Sequence, residues 1–263
     1  MTDVEFSRPS LTNNDAAVLQ ALFDAESSPS AGITIDTSLP SWPARVTVST
    51  QDLETLQRHE VEIIGKLQAD QRPNQTIVQS ALDDLNSLVD QHPTYPPAYS
   101  NRAQVLRFLV DLQDGKNSSN TDSHPETGAD DALFAPHAAE LSSRIFSDLG
   151  QAITLATPAS PADSVSSVQA RLLADTHTHR GYLLLKAART KKLAILGQDG
   201  DIVGPECLRE IPADKLEEMA SHDFFMGGRF GNKIAQQMAV QTNPYAKMCG
   251  AIVQEAMRKE LEA

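Results

Sequence analysis

Between Leu88 and Leu106 the chain stops one helix and starts another, and the residues that do so leave little choice of architecture. Upstream, Ala81, Leu85 and Leu88 fall four and three residues apart and share one helical face, with Ala81 small enough to admit a close neighbour. Pro93 ends that helix, because the residue before a proline is pushed out of the α region. Pro96 and Pro97 then suit the first turn of the next helix, where a missing N–H is no loss. Beyond them Tyr99, Ala103 and Leu106 again lie four and three apart, with Asn101-Arg102 beside them. Apolar stripes this narrow need neighbouring helices to bury them.

The spacing fits the roughly 34-residue tetratricopeptide pattern of stacked helix pairs. Ala81, Leu85, Leu88 and Pro93 take second-helix positions, and Tyr99, Asn101 and Ala103 take positions of the following first helix. A preceding first helix is placed on Val61, Ile64, Gly65 and Gln68, with Gly65 at the small-residue contact and a longer turn through Arg72-Pro73-Asn74. A third pair has Gly181 and Leu184 in one helix and Ala220, Phe224 and Gly227 in the other. The expected fold is therefore all-α: a tetratricopeptide superhelix of about three repeats over residues 51–263, with two insertions and a C-terminal capping helix over 243–262. In that helix Tyr245, Met248, Cys249, Ile252, Val253 and Ala256 form the apolar face.

The insertions are 113–137, whose polar run Asp114–Pro125 has no apolar period and reads as a disordered loop, and 191–214. In the second, Leu193-Ala194-Ile195-Leu196 and Asp201-Ile202-Val203-Gly204 flank a Gly/Asp turn, which suits either a hairpin or an ordered surface loop. Residues 1–50 divide into an amphipathic helix at about 14–25, with Val18, Leu19, Leu22 and Phe23 on one face, and an extended linker to Thr50 with Trp42 as its anchor. That helix is expected to dock on the repeats or on a partner.

Composition narrows the function classes. A net charge of −13 argues against nucleic acid as the main partner. No run approaches the ~18 apolar residues of a membrane span, and Met1–Phe6 lack the basic and apolar regions of a secretory signal, so none is expected. Two cysteines, Cys207 and Cys249, form no disulfide framework, so the expected setting is the cytosol or nucleus.

Asp175-Thr176-His177-Thr178-His179-Arg180 has the spelling of the metal site of amidohydrolase and phosphoesterase barrels, which makes a metal-dependent hydrolase the enzyme alternative. The flanking Val168, Leu172, Leu173, Gly181, Leu184 and Leu185 are spaced as in a helix, where residues two apart point about 200° apart and cannot share an ion. The expectation is a non-catalytic scaffold with no metal and no cofactor. Its candidate peptide-binding groove comprises Lys66, Asn101, Gln104, Arg107, Phe108, His179, Tyr182 and Lys186, the positions that the repeat register turns toward the concave wall, with Glu62 beside Lys66.

The blocks Asp15–Phe23, Ala98–Gln104, Arg180–Leu184, Ala220–Phe224 and Asn243–Cys249 resemble the tetratricopeptide repeat protein 36 family and stand in that family's order along nearly the whole chain. The resemblance implies a cytosolic adaptor with protein partners, linked to Hsp70-type chaperones and to tyrosine catabolism through protection of 4-hydroxyphenylpyruvate dioxygenase. Tetratricopeptide clamps for acidic chaperone tails want Lys and Asn in the first pair, Asn in the second and Lys and Arg in the third. Only Asn101 matches, since Glu62, Lys66, Asp175 and His179 fill the other positions. A structural subunit of a larger assembly is the remaining alternative.

Overall fold

In the computed structural model, residues 33–69, 74–117, 132–160, 163–195, 204–243 and 258 are described. Their secondary structure is helical: α1 (Thr50–Gln68), α2 (Gln75–Gln91), α3 (Pro96–Asn117), α4 (Ala139–Ala156), α5 (Ser167–Ile195), α6 (Glu206–Arg209), α7 (Ala213–Arg229) and α8 (Lys233–Thr242), with 3-10 turns at Ala132–Phe134 and Pro136–Ala138. The extended exception among these residues is an isolated parallel bridge between Ile35 and Val165. Ser49 caps α1 by accepting from the Asp52 N–H, and Asn74 caps α2 by accepting from that of Ile77. The helices from α1 to α4 pack on their chain neighbours, whereas α5 packs chiefly on α7, across the short α6, and less extensively on α4.

The junction forms as its prolines require, with α2 ending at Gln91 and α3 starting at Pro96. Val78, Leu85, Val105, Leu106, Ile145, Leu149, Leu183 and Leu216 lie within one apolar core that runs the length of the stack. Inside the α2–α3–α4 layer, Arg102 donates from Nε and Nη2 to both carboxylate oxygens of Asp148, at 2.8 and 2.6 Å. The Asn86 side-chain oxygen accepts from Arg102 and Arg144 and so ties α2 to the same pair. Bidentate geometry satisfies charges that would otherwise be costly to bury.

The third pair is as the spacing implies. A Cβ on Gly181 would stand 3.2 Å from the Ala220 carbonyl oxygen and the Phe224 ring, so α5 and α7 approach as closely as glycine allows. The first pair is different. Val61 is 73% exposed, and nothing lies within 4 Å of a Cβ built on Gly65. Leu56, Ile63 and Leu67 carry the buried face instead, because that set at spacings of seven and four meets α2 more fully than the one through Gly65.

Parts of both expected insertions are helical among the described residues. The first begins as the last turns of α3, and it ends in the core, where Ala132, Leu133 and Phe134 are buried. Only residues 118–131, including most of the polar run, lie outside the described residues. In the second, Leu193-Ala194-Ile195 is helical and not a hairpin strand. Close by, the Lys191 ammonium donates at 2.7 Å to the carbonyls of Leu208, Arg209 and Ile211 and so binds the end of α5 to α6. Lys192 adds ion pairs to Asp214 and Glu217, both at 3.0 Å.

An element absent from the sequence expectation, α8, follows α7 through Gly231, whose φ of +103° is open to glycine. Asn232 then caps α8 by accepting from the Ala235 N–H. The expected helices at 14–25 and 243–262 lie outside the described residues, Asn243 and Arg258 excepted. Residues 33–49 run without helix across the ends of α3, α4 and α5, and Trp42 anchors them as expected, packing against two of the apolar clusters.

Candidate functional site

Apart from Lys66 on α1, the expected groove residues lie on α3 and α5, whose sequences place polar and aromatic side chains one helical turn apart. Gln104, Arg107, Phe108 and His179 come together with Asp111 around a hollow of about 310 Å³ between the two helices. Phe108 is 46% exposed, a large aromatic face left to solvent. Beneath the hollow the Ser100 and Thr176 hydroxyls meet at 3.3 Å and hold α3 to α5.

Arg107 and His179 set the polarity of the hollow. Arg107 Nη1 lies 3.4 Å from His179 Nε2, and since a guanidinium only donates, that nitrogen accepts and the ring proton sits on Nδ1. Burial, with the Arg107 charge second, pushes the His179 pKa down to about 4, so the ring is neutral at physiological pH. Tyr182 and Lys186 continue the same face of α5, with the Lys186 ammonium 5.0 Å from the centre of the Tyr182 ring.

Asn101 and Lys66 do not join this group. Asn101 Nδ2 donates to Glu60 Oε1 at 2.9 Å, and the Tyr95 hydroxyl donates to the other oxygen at 2.7 Å. Glu60 thus bridges α1 to α3 as a half-buried carboxyl, and burial, opposed in part by these two hydrogen bonds, raises its pKa to about 7. The same burial and the Glu60 charge raise the Tyr95 phenol. Lys66 pairs with Glu62 at 3.0 Å on the exposed face of α1.

The two histidines of the Asp-x-His-x-His run face different neighbours, as a continuous α5 requires. His177 is buried against α7, with Nδ1 2.8 Å from Asp223 Oδ1 and its ring stacked at 6.1 Å on Phe230. Arg180 donates from Nε and Nη2 to both Asp223 oxygens at 2.7 Å. Burial works to raise the Asp223 pKa, but the hydrogen bonds from Arg180 and His177 prevail and hold it below the usual carboxylate range. His179 points instead to α3. Among the described residues, no group of three His, Cys, Asp or Glu side chains is placed to hold a metal ion.

Asp111, Glu60 and Asp223 were not among the residues singled out from the sequence. Asp111 was within reach, since it stands one turn beyond Arg107 on the same helical face.

No family model matches the chain, and no solved structure matches it. It is 58% identical to the "L-tyrosine degradation gene cluster protein hmgX" of Aspergillus fumigatus over 261 residues, covering 99% of this chain and 97% of the relative. No helix among the described residues is long and apolar enough to cross a membrane.

Proposed function

This chain belongs to the family of the Aspergillus fumigatus L-tyrosine degradation gene cluster protein hmgX, and on that premise we propose that it is a non-catalytic adaptor serving tyrosine catabolism. Its helix pairs stack as a tetratricopeptide superhelix, and it holds a protein partner in the hollow between α3 and α5. The hollow carries the reading: an exposed aromatic face, a guanidinium, and a histidine kept neutral, on adjacent helices. Such a surface suits an extended peptide, whose backbone and side chains can be met at successive turns. The side chains that would have to work as a metal pair point to α3 and α7, which weighs against the hydrolase alternative.

The resemblance to the tetratricopeptide repeat protein 36 family supplies the partners of this proposal, 4-hydroxyphenylpyruvate dioxygenase and an Hsp70-type chaperone. A clamp for the chaperone's acidic tail is the weaker form of it. Asn101, the one residue in the matching position, has its amide engaged by Glu60, and Glu62 beside Lys66 would repel a carboxylate. Chaperone contact through another peptide or surface fits better.

The test is co-purification from the native cytosol with an Arg107→Glu, Phe108→Ala variant that keeps its helical circular dichroism. Asn101 is left intact because it holds α1 to α3. The dioxygenase, with or without a chaperone, is expected with the wild-type chain and is lost with the variant. Partners retained at wild-type yield would remove the hollow from the proposal.

A further inference from the structure

A second cleft, of about 540 Å³, opens between the N-terminal half of α5 and the start of α8. Ala170, Ala174 and Phe230 form its apolar floor. Its walls are Ile35 and Ile234, which are 47% and 66% exposed. Two aliphatic side chains left that open on facing walls are unusual beside a floor of buried alanines and an aromatic ring. The rim carries Arg171 and Lys233, both exposed, while the nearby Asp175 accepts a hydrogen bond from Asn232 at 3.2 Å.

The described chain begins at the edge of this cleft. Ile33 packs on the cluster that supplies the floor, and the Val165 N–H donates to the Thr34 carbonyl while the Asp36 N–H donates to that of Val165, at 3.0 and 2.9 Å. Ile35, between them, lines the cleft. Residues 1–32 precede this anchor, and they contain Val18, Leu19, Leu22 and Phe23 at helical spacing. A helix that short is marginal in water without a surface to cover its apolar face.

We propose that the segment Asp15–Phe23 seats this face in the cleft between α5 and α8 of its own chain. The reach is sufficient, because the residues between Phe23 and Ile33 span up to roughly 33 Å when extended. A tether of that length gives an effective concentration on the order of millimolar, enough for a small apolar contact to persist. Charge favours the same pairing. Residues 1–32 carry Asp3, Glu5, Asp15, Asp24 and Glu26 against Arg8, and the rim they approach carries Arg171 and Lys233 against the single acid Asp175. The chain after α8 is the other nearby apolar segment, but there Lys247, Arg258 and Lys259 balance Glu255, Glu260 and Glu262, so it lacks that complementarity.

Zero-length carbodiimide cross-linking of the full chain tests this, since the first fifty residues contain carboxylates and no lysine. An intrachain link from Asp24 or Glu26 to Lys233 is expected, with heavy and light chains mixed to separate links within a chain from links between chains. In a Leu19→Asp, Leu22→Asp chain the link disappears, and amide exchange over 170–175 and 233–236 quickens about tenfold. The proposal is overturned if the wild-type chain gives no Lys233 link, if the link joins two copies, or if it survives the double substitution. It is overturned equally if cleft exchange is unmoved in that variant but quickens in a Met248→Asp, Ile252→Asp chain, which would make the C-terminal segment the occupant.

Discussion

Two half-buried groups near the hollow titrate away from their ordinary range, in opposite senses for stability. Glu60 has an unfolded pKa near 4.3 and a folded one of about 7, so within that window the folded state keeps a proton that the unfolded chain releases. Its contribution to stability is therefore full below the window and falls as pH rises through it, by on the order of 3–4 kcal/mol. Glu60→Gln is expected to match the wild type near pH 4 and to exceed it at pH 8 in urea unfolding; parallel pH curves for the two chains would contradict this. His179 works the other way. Its folded pKa of about 4 lies below the ordinary 6.5, so its contribution is present above that value and is lost as pH falls toward 4. Titrating its Cε1 proton by NMR is expected to give a midpoint near 4. Arg107→Gln should raise that midpoint only part of the way to 6.5, because burial is the larger cause. These residues also mark what the sequence could tell. His179 and Arg107 are placed by helical spacing, which assigns a helix face. Glu60 does not, because only packing against Tyr95 and Asn101 distinguishes it from Glu62, two positions on.

At the scale of elements, α5 and α7 meet through Gly181 and are fastened by Asp223, and the two contacts were unequally legible. Small residues recurring at Gly181 and Ala220 are a pattern that spacing reveals. A buried carboxylate is identified only by its partners, and Asp223 has His177 and Arg180 from a helix over forty residues earlier. The same limit explains the first pair, where two apolar sets on α1 compete and the one through Ile63 wins by what α2 offers it. Gly181→Ala sets a methyl 3.2 Å from the Ala220 carbonyl oxygen, Asp223 Cβ and the Phe224 ring, so α7 must give by a few tenths of an ångström, and about 1 kcal/mol of destabilisation is expected. Asp223→Ala leaves Arg180 and buried His177 without their shared acceptor, and about 3 kcal/mol or more is expected. Both are read from urea midpoints. A loss below 0.5 kcal/mol for Asp223→Ala would mean that the network contributes little to holding α5 against α7.

For the whole molecule the question is what makes a series of packed helices behave as one body, since most of the helices pack on those next to them in the chain. Here residues 33–49 cross the stack. They bond to Val165 before α5, donate from Arg45 to the Thr154 carbonyl of α4, and meet Thr94 between α2 and α3 before entering α1. Trp42 sits at the middle of this strap, its ring edge-on to Tyr95 at 6.1 Å and in contact with both flanking apolar clusters. Its indole N–H is buried without a hydrogen-bond partner among the described residues, so the indole stabilises by area and shape and not by its polar atom. Two substitutions separate these contributions. Trp42→Ala removes the bridge between clusters, and about 3–5 kcal/mol of loss is expected, with the transition broadening as the pairs uncouple. Trp42→Phe keeps an aromatic edge for Tyr95 and discards the unpartnered N–H, so its loss should be less than half as large. As the chain's single tryptophan, Trp42 also reports directly in the wild type: its fluorescence and the helical circular dichroism should change at one urea midpoint. Fluorescence changing well before circular dichroism would show instead that the strap releases from an intact stack, and that the helix pairs hold together without it.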